Sequence, residues 1–366
     1  MTGQTARPRL INLTGLQTGE ANWRTRLDRS TQMRCIPLIL VLIAATARGQ
    51  TVPTTTPAAQ GGPRIEFLES RFLDMHYAIR ALADLAEDRR PEALREAVKT
   101  VAEIEKSLGG QMAWGILEGS LMQAEDVAAA RRIAEKLPAE FQSMTGARLP
   151  LRELATKLLD AYDPIEREFV QKTWPEHQRK IAAARKSLES ELLPHASRCI
   201  VYIEKSLGMN NGQEAIPVYL VASAPAPGGF THRRRGGGGV CIVSADEKPE
   251  LLAETVLHEC THALDISTQS QPTVLNELRK KLQQAGHSPR SETMRSVPHT
   301  LIFVQAGETV RRLLNPQHKH YGDAAGYYAK VPDATAAVRQ PWTTHLDGKM
   351  TTDEALTQIV EKTPRP

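Results

Sequence analysis

Residues 240–265 read VCIVSADEKPELLAETVLHECTHALD, a short apolar run followed by a segment with helical periodicity. Val240-Cys241-Ile242-Val243 has the length of a strand. Beyond it, Leu251, Leu252, Val256, Leu257 and Leu264 make one apolar face. Pro249 suits the first helical turn, and Glu250 and Glu254 suit the positive N-terminal end. Inside this helix stand His258-Glu259-Cys260-Thr261-His262. Side chains at i and i+4 of an α-helix lie one above the other, so His258 and His262 can offer two imidazole nitrogens to one metal ion. Glu259 lies one position round, where its carboxylate can take a proton from a water activated by that metal. Cys260, at i+2, points away from the histidine face and reads as buried packing. The bland alternative is a core helix with two satisfied histidines.

Strand, short loop and H-E-x-x-H helix, in that order, resemble the zincin metallopeptidases. The resemblance covers roughly residues 216–330. It implies a zinc-dependent hydrolase with three protein ligands to Zn2+ and a peptide or protein substrate. Zincins of the metzincin kind carry a glycine and then a third histidine shortly after the motif; Asp265 and Thr268 stand at those places, which excludes that kind. Zincins of the gluzincin kind take a glutamate from a later helix. Residues 299–314, HTLIFVQAGETVRRLL, read as such a helix after Pro298, with Glu308 in its middle. Glu308 is the expected third ligand, and the small pair Ala306-Gly307 is expected to let this helix approach the histidine helix closely. An ion pair to Arg312 at i+4 is the ordinary alternative for Glu308, and His299 is the competing third ligand. Where the best-known gluzincin pattern carries a later aspartate, this chain has Arg311 and Arg312. Asp265 reads as a carboxylate partner for an imidazole N–H.

Downstream, Tyr321, Tyr327 and Tyr328 cluster with His318 and His320. Zincins often hold the oxyanion of peptide hydrolysis with a Tyr or His donor, which makes Tyr327 or Tyr328 the candidate and Tyr327 the choice; aromatic packing is the alternative. Trp342 to Val360 closes the chain with a helix capped by Thr352 or Asp353.

Upstream of the motif, Ile216 to Val221 reads as a strand. The stretch from Pro225 to Gly239, with Thr231-His232-Arg233-Arg234-Arg235 and four glycines, reads as a mobile loop. It lacks the Gly-Lys-Ser/Thr of a phosphate-binding loop. Arg233 to Arg235 are a candidate subsite for an acidic group of the substrate.

Residues 64–195 read as helical throughout. Ile65, Leu68, Phe72, Met75, Ile79, Leu82 and Ala86 step by three and four, and Leu94, Val98, Val101, Ile104 and Leu108 repeat the pattern. Further helices fit Met112 to Leu137, Leu151 to Tyr162, Ile165 to Trp174 and Glu176 to Leu193, with prolines between them. His76 and His177 stand here without ligand partners at useful spacing, so this half reads as support for the catalytic part.

The first residues read as an address. Met33-Arg34 leads into a weakly polar to apolar run, Cys35 to Ala47, with Ala45-Thr46-Ala47 in the pattern of a cleavage site. The expected organisation is a signal peptide with an over-extended start (1–49), a Thr/Pro/Gly linker (50–63), a helical domain (64–195) and a zincin-like domain (196–366). The fold class is mainly α with a small β-sheet (α+β). Export to the periplasm or the cell exterior is expected from the signal, with no stable membrane span after cleavage. Residues 1–34 hold six arginines against Glu20 and Asp28 and so carry the whole formal charge of +4. The remaining chain is near neutral, and no basic stripe interleaved with aromatics marks a nucleic-acid partner. Cys199, Cys241 and Cys260 remain after export, which allows a Cys199 to Cys241 disulfide. Two further readings stay open: an exported zinc-binding or helical interaction protein without activity, and a structural helical protein with a chance motif.

Overall fold

The structure is a computed structural model that describes residues 64–365, apart from 109–110, 143–147, 213 and 235–236. The signal, the linker and Cys35 lie outside the described residues. Strand β1 (Ile65–Leu68) leads into helices α1 (Arg71–Ala83), α2 (Arg95–Leu108), α3 (Gln111–Leu121) and α4 (Val127–Ala134). A two-residue hairpin, β2 (Phe141–Gln142) and β3 (Arg148–Leu149), precedes α5 (Leu151–Glu168), α6 (Trp174–Glu191) and α7 (Ala196–Leu207). Next come β4 (Ile216–Val221), β5 (Gly229–Arg233), β6 (Gly239–Ser244) and the motif helix α8 (Pro249–Ser267). The chain ends with α9 (Val274–Gln284), α10 (Glu292–Leu313), the short α11 (Tyr321–Ala324) and α12 (Tyr327–Lys330), then α13 (Pro332–Leu346) and α14 (Thr352–Lys362). This is the α+β class, mostly helical with a small mixed sheet. No helix among the described residues is long and apolar enough to cross a membrane.

The sheet has the order β1-β4-β6-β5, with β1, β4 and β6 parallel and β5 antiparallel at one edge. Its strands are apolar at successive positions because both faces are covered. Val218, Leu220, Cys241 and Val243 face the layer that holds α8 and α10, and Ile65 and Phe67 join them. Val221, Val240 and Ile242 face the layer built by α1 to α5. The sheet therefore lies between two helical layers, and α8 packs directly on β5 and β6.

The structure corrects five expectations. Trp342 to Val360 is not one closing helix: it divides between α13 and α14, and Thr351, rather than Thr352 or Asp353, caps α14. Ile65 to Leu68 is a strand rather than the start of a helix: it pairs in register with Ile216 to Tyr219, and Ser70 then caps α1 through its hydroxyl on Leu73 N–H. Met112 to Leu137 is two helices, because Asp126 caps a new one at Val127. Pro164 does not end its helix; α5 runs through it and joins α6 by a π-helical turn over Phe169–Thr173. Thr231-His232-Arg233 is strand rather than loop, paired with Gly239 to Cys241 of β6. Both strand corrections arise because strand formation depends on cross-strand neighbours, which local spacing does not reveal.

Candidate metal centre

α8 carries the H-E-x-x-H motif because its sequence has an apolar face on the sheet and Pro249 in its first turn. His258 and His262 project from it as the i, i+4 spacing requires, their Nε2 atoms 3.2 Å apart. The third member is His299, from the second turn of α10. Its Nε2 is 3.2 Å from that of His258. Among the described residues these three imidazoles form the group able to hold a metal ion, one ligand atom from each lying within 4.8 Å of the others. Ligand nitrogens about 2.0–2.1 Å from a tetrahedral zinc ion sit about 3.3 Å apart, so the two spacings from His258 fit. Burial pushes His258 well below the usual imidazole range, with His262 and His299 adding to it. Burial likewise lowers His262 to about 4, helped by the nearby Arg279, and His299 to about 3, helped by His262. Neutral imidazoles are the form that binds a metal.

Glu308 is not in this group, which overturns its expected ligand role. α10 begins at Glu292, capped by Ser291, and runs through Pro298 as one helix. On it Glu308 is nine positions beyond His299, about half a turn round at 100° per residue. Its carboxylate is 1% exposed and taken by Arg311, by Arg312 Nε at 2.9 Å, and by His320 Nε2 at 3.4 Å. Burial alone pushes its pKa up, but hydrogen bonds from His320, Arg311 and Arg312 outweigh it and hold the group at about 2. Gly307 makes room for the His320 ring, which a Cβ there would meet at 2.6 Å, rather than for α8. Asp265 is also elsewhere than expected. It accepts a two-pronged bond from Arg279, at 3.0 and 2.6 Å.

Glu259, next to His258 in α8, is buried against β5. The Thr231 hydroxyl lies 2.7 Å from its Oε2 and 3.0 Å from its backbone carbonyl. Gly229 faces the other oxygen: a Cβ built there would lie 2.6 Å from Oε1. Burial lifts the Glu259 pKa to about 7, against the lowering effect of the Thr231 hydrogen bond. A carboxyl group poised there can take and return a proton near neutral pH.

Tyr327 lies against the third histidine, its hydroxyl 3.4 Å from His299 Nδ1 and 3.4 Å from Thr300 Oγ1, its ring stacked on Phe303 at 4.1 Å. Tyr328 turns away toward His320 and Gly322. Tyr321 bridges the rim, donating its hydroxyl to Pro227 O at 2.9 Å and its backbone N–H to Glu254 at 2.7 Å. Arg233 lies on the α8 side, its guanidinium on Gln269 Oε1 at 2.5 Å. Cys199, Cys241 and Cys260 are buried free thiols, so the Cys199 to Cys241 disulfide that the cysteine count allows is not formed.

Sequence reasoning misses Thr231 and Gly229, because a loop reading gives them no face. A signal for them lies in the alternation of Phe230 and His232 with smaller residues. No protein-family model matches the chain, and no curated protein or solved structure is significantly similar to it.

Proposed function

We propose that this protein is an exported zinc-dependent hydrolase of peptide bonds. The observation that carries the reading is the convergence of three imidazole nitrogens from α8 and α10, with the buried carboxylate of Glu259 one residue on from His258 in the same helix. Nitrogen-only donors suit zinc among the common divalent ions. A zinc ion held by His258, His262 and His299 would supply Lewis acidity toward a carbonyl oxygen and toward water. Glu259 then acts as the proton acceptor and donor, and Thr231 holds its carboxylate at a fixed angle. Tyr327 steadies the ring of His299 through Nδ1.

A peptide substrate is favoured by the neighbouring strand. Ser244 N–H bonds to Gly228 O and Arg234 N–H to Gly238 O, which sets the alternation of the β5–β6 ladder. Gly229 and Thr231, at the other parity, direct their N–H and C=O away from β6 along the sheet's edge. An extended peptide can reach this edge at the half-buried Thr231, next to Glu259, because Gly229 is buried and the Arg233 carbonyl lies under α3. Export rests on the leader-like run of residues 33–47.

The test uses the full chain, loaded with zinc and given unfolded casein and a mixed peptide library read by mass spectrometry. Glu259→Gln is expected to keep one zinc per chain and lose cleavage. Cleavage at the wild-type rate by Glu259→Gln would remove the mechanism. Stoichiometric zinc with no wild-type cleavage of any peptide would instead support a metal-binding protein without hydrolytic activity.

A further inference from the structure

The helical layer carries a buried charged cluster on the opposite face of β5 from Glu259. Glu118 of α3 is 3% exposed and is the one acid in the apolar stretch 111–122. His76 Nε2 lies 2.7 Å and Arg80 Nη1 2.6 Å from its Oε1, and His232 Nε2 of β5 lies 3.1 Å from its Oε2. The Tyr77 hydroxyl is 2.8 Å from the same His232 nitrogen, and the Tyr162 hydroxyl is 2.7 Å from His76 Nδ1. Trp114, Phe230 and Tyr77 surround the Arg80 guanidinium at 5.0, 5.4 and 5.6 Å from their ring centres. Two glycines bring α3 onto the strand. A Cβ on Gly115 would lie 3.1 Å from His232 Nδ1, and one on Gly119 would lie 2.6 Å from the Arg233 carbonyl.

Apolar side chains of similar volume would stabilise such a place as well as or better than a desolvated ion pair does. What the polar cluster adds is direction, since the Tyr77 hydrogen bond and the nearby Glu118 carboxylate fix His232 where apolar contact would let it slide. On a strand, neighbouring residues point to opposite faces. His232 is therefore tied to α1 and α3 while Thr231, the next residue, holds the carboxylate of Glu259 on the α8 side.

We infer that Glu118 and His232 are positioning residues for Glu259, fixing β5 from behind so that Thr231 and Gly229 hold the carboxylate at its working angle. The inference rests on Glu259 as the proton-transfer group of the proposed hydrolase. It assigns the helical half a part in the reaction without touching the metal, because all three histidines stand on α8 and α10.

The experiment is a double-mutant cycle on the zinc-loaded full chain, with Glu118→Gln, Thr231→Ala and the pair. Glu118→Gln is expected to bind zinc as the wild type does and to lower kcat by about tenfold or more, with KM changed far less. The pair is expected to be no slower than the slower single variant, because both act through one carboxylate. Multiplying effects would overturn the inference, as would an unchanged kcat. Amide hydrogen exchange within residues 229–233 supplies a readout that needs no turnover. Exchange faster in Glu118→Gln across β5, with α10 unchanged, supports the anchoring even if no peptide is cleaved; unchanged exchange overturns it. Should Glu118→Gln not fold, Tyr77→Phe removes the hydroxyl that meets His232 and Glu118 while leaving the Glu118 charge in place, and is read in the same way.

Discussion

Gly229→Ala tests the geometry at Glu259 with a single methyl group. The new Cβ would stand 2.6 Å from Glu259 Oε1, 3.0 Å from Cγ and 3.1 Å from Cδ, all inside ordinary contact distance. Reaching about 3.4 Å requires the carboxylate or the strand to move by nearly 1 Å, and a misplacement of that size at a reacting group costs about 10²-fold in rate. If the carboxylate moves, it also leaves the Thr231 hydroxyl, a hydrogen bond to a charged group that contributes about 1.5–3 kcal/mol. Backbone strain is not part of the effect, since Gly229 is not among the glycines with positive φ. Alanine within a strand otherwise stabilises by about 0.5–1 kcal/mol relative to glycine. The expected outcome is therefore a variant destabilised by about 0.5–2.5 kcal/mol that still folds, keeps its zinc, and cleaves peptide about 10²-fold more slowly. Zinc content, a melting curve and the casein assay report the three quantities. Wild-type cleavage by a folded Gly229→Ala would refute the contact between this strand and a working carboxylate.

The side chains around α10 supply two other expectations. His299→Ala should abolish stoichiometric zinc in dialysed protein, while Glu308→Ala should retain it, as read by elemental analysis; the reverse result would restore Glu308 as the ligand. Glu308 is also a stability group with a sign. Its folded pKa of about 2 lies below the ordinary carboxylate value, so its contribution is fully present above about pH 4.5 and is lost as pH falls toward 2. Glu308→Gln should flatten the acid limb of a stability-versus-pH curve in that window, and an unchanged limb would show that the Arg311 and Arg312 bonds contribute nothing.

The histidine pair is legible in the sequence because one helix holds both members, and i, i+4 spacing needs no knowledge of anything else in the fold. The third member of the cluster is not, because two candidates, His299 and Glu308, share α10 and the choice depends on which face meets α8. A local hint lies in Arg311 and Arg312, which stand at i+3 and i+4 from Glu308 and mark its face as ion-paired. Ile65 and Leu68 fit a helical stripe by spacing alone, and only the distant Ile216 to Tyr219 makes them a strand. His76 and His177 look idle in the sequence for a similar reason: Glu118 and Asp74, their partners at 2.7 Å, come from other helices. Glu118 itself is a visible anomaly, a lone acid in an apolar helix, which a buried position allows only with partners.

Neighbouring strands β1 and β4 set the order in which the molecule can assemble. Ile65 pairs with Ile216 across about 150 residues of intervening helix, a closure that long-range pairing makes slow. Helices α1 to α5 pack largely on one another and can form first, leaving the sheet to close against them as a late event. A cut between residues 195 and 196 would place β1 on one fragment and β4, β5 and β6 on the other. The first fragment would keep a strand with no sheet. The second would keep the motif helix on a sheet with β4 newly exposed as an edge, and would lose the cluster behind His232 that steadies the other edge.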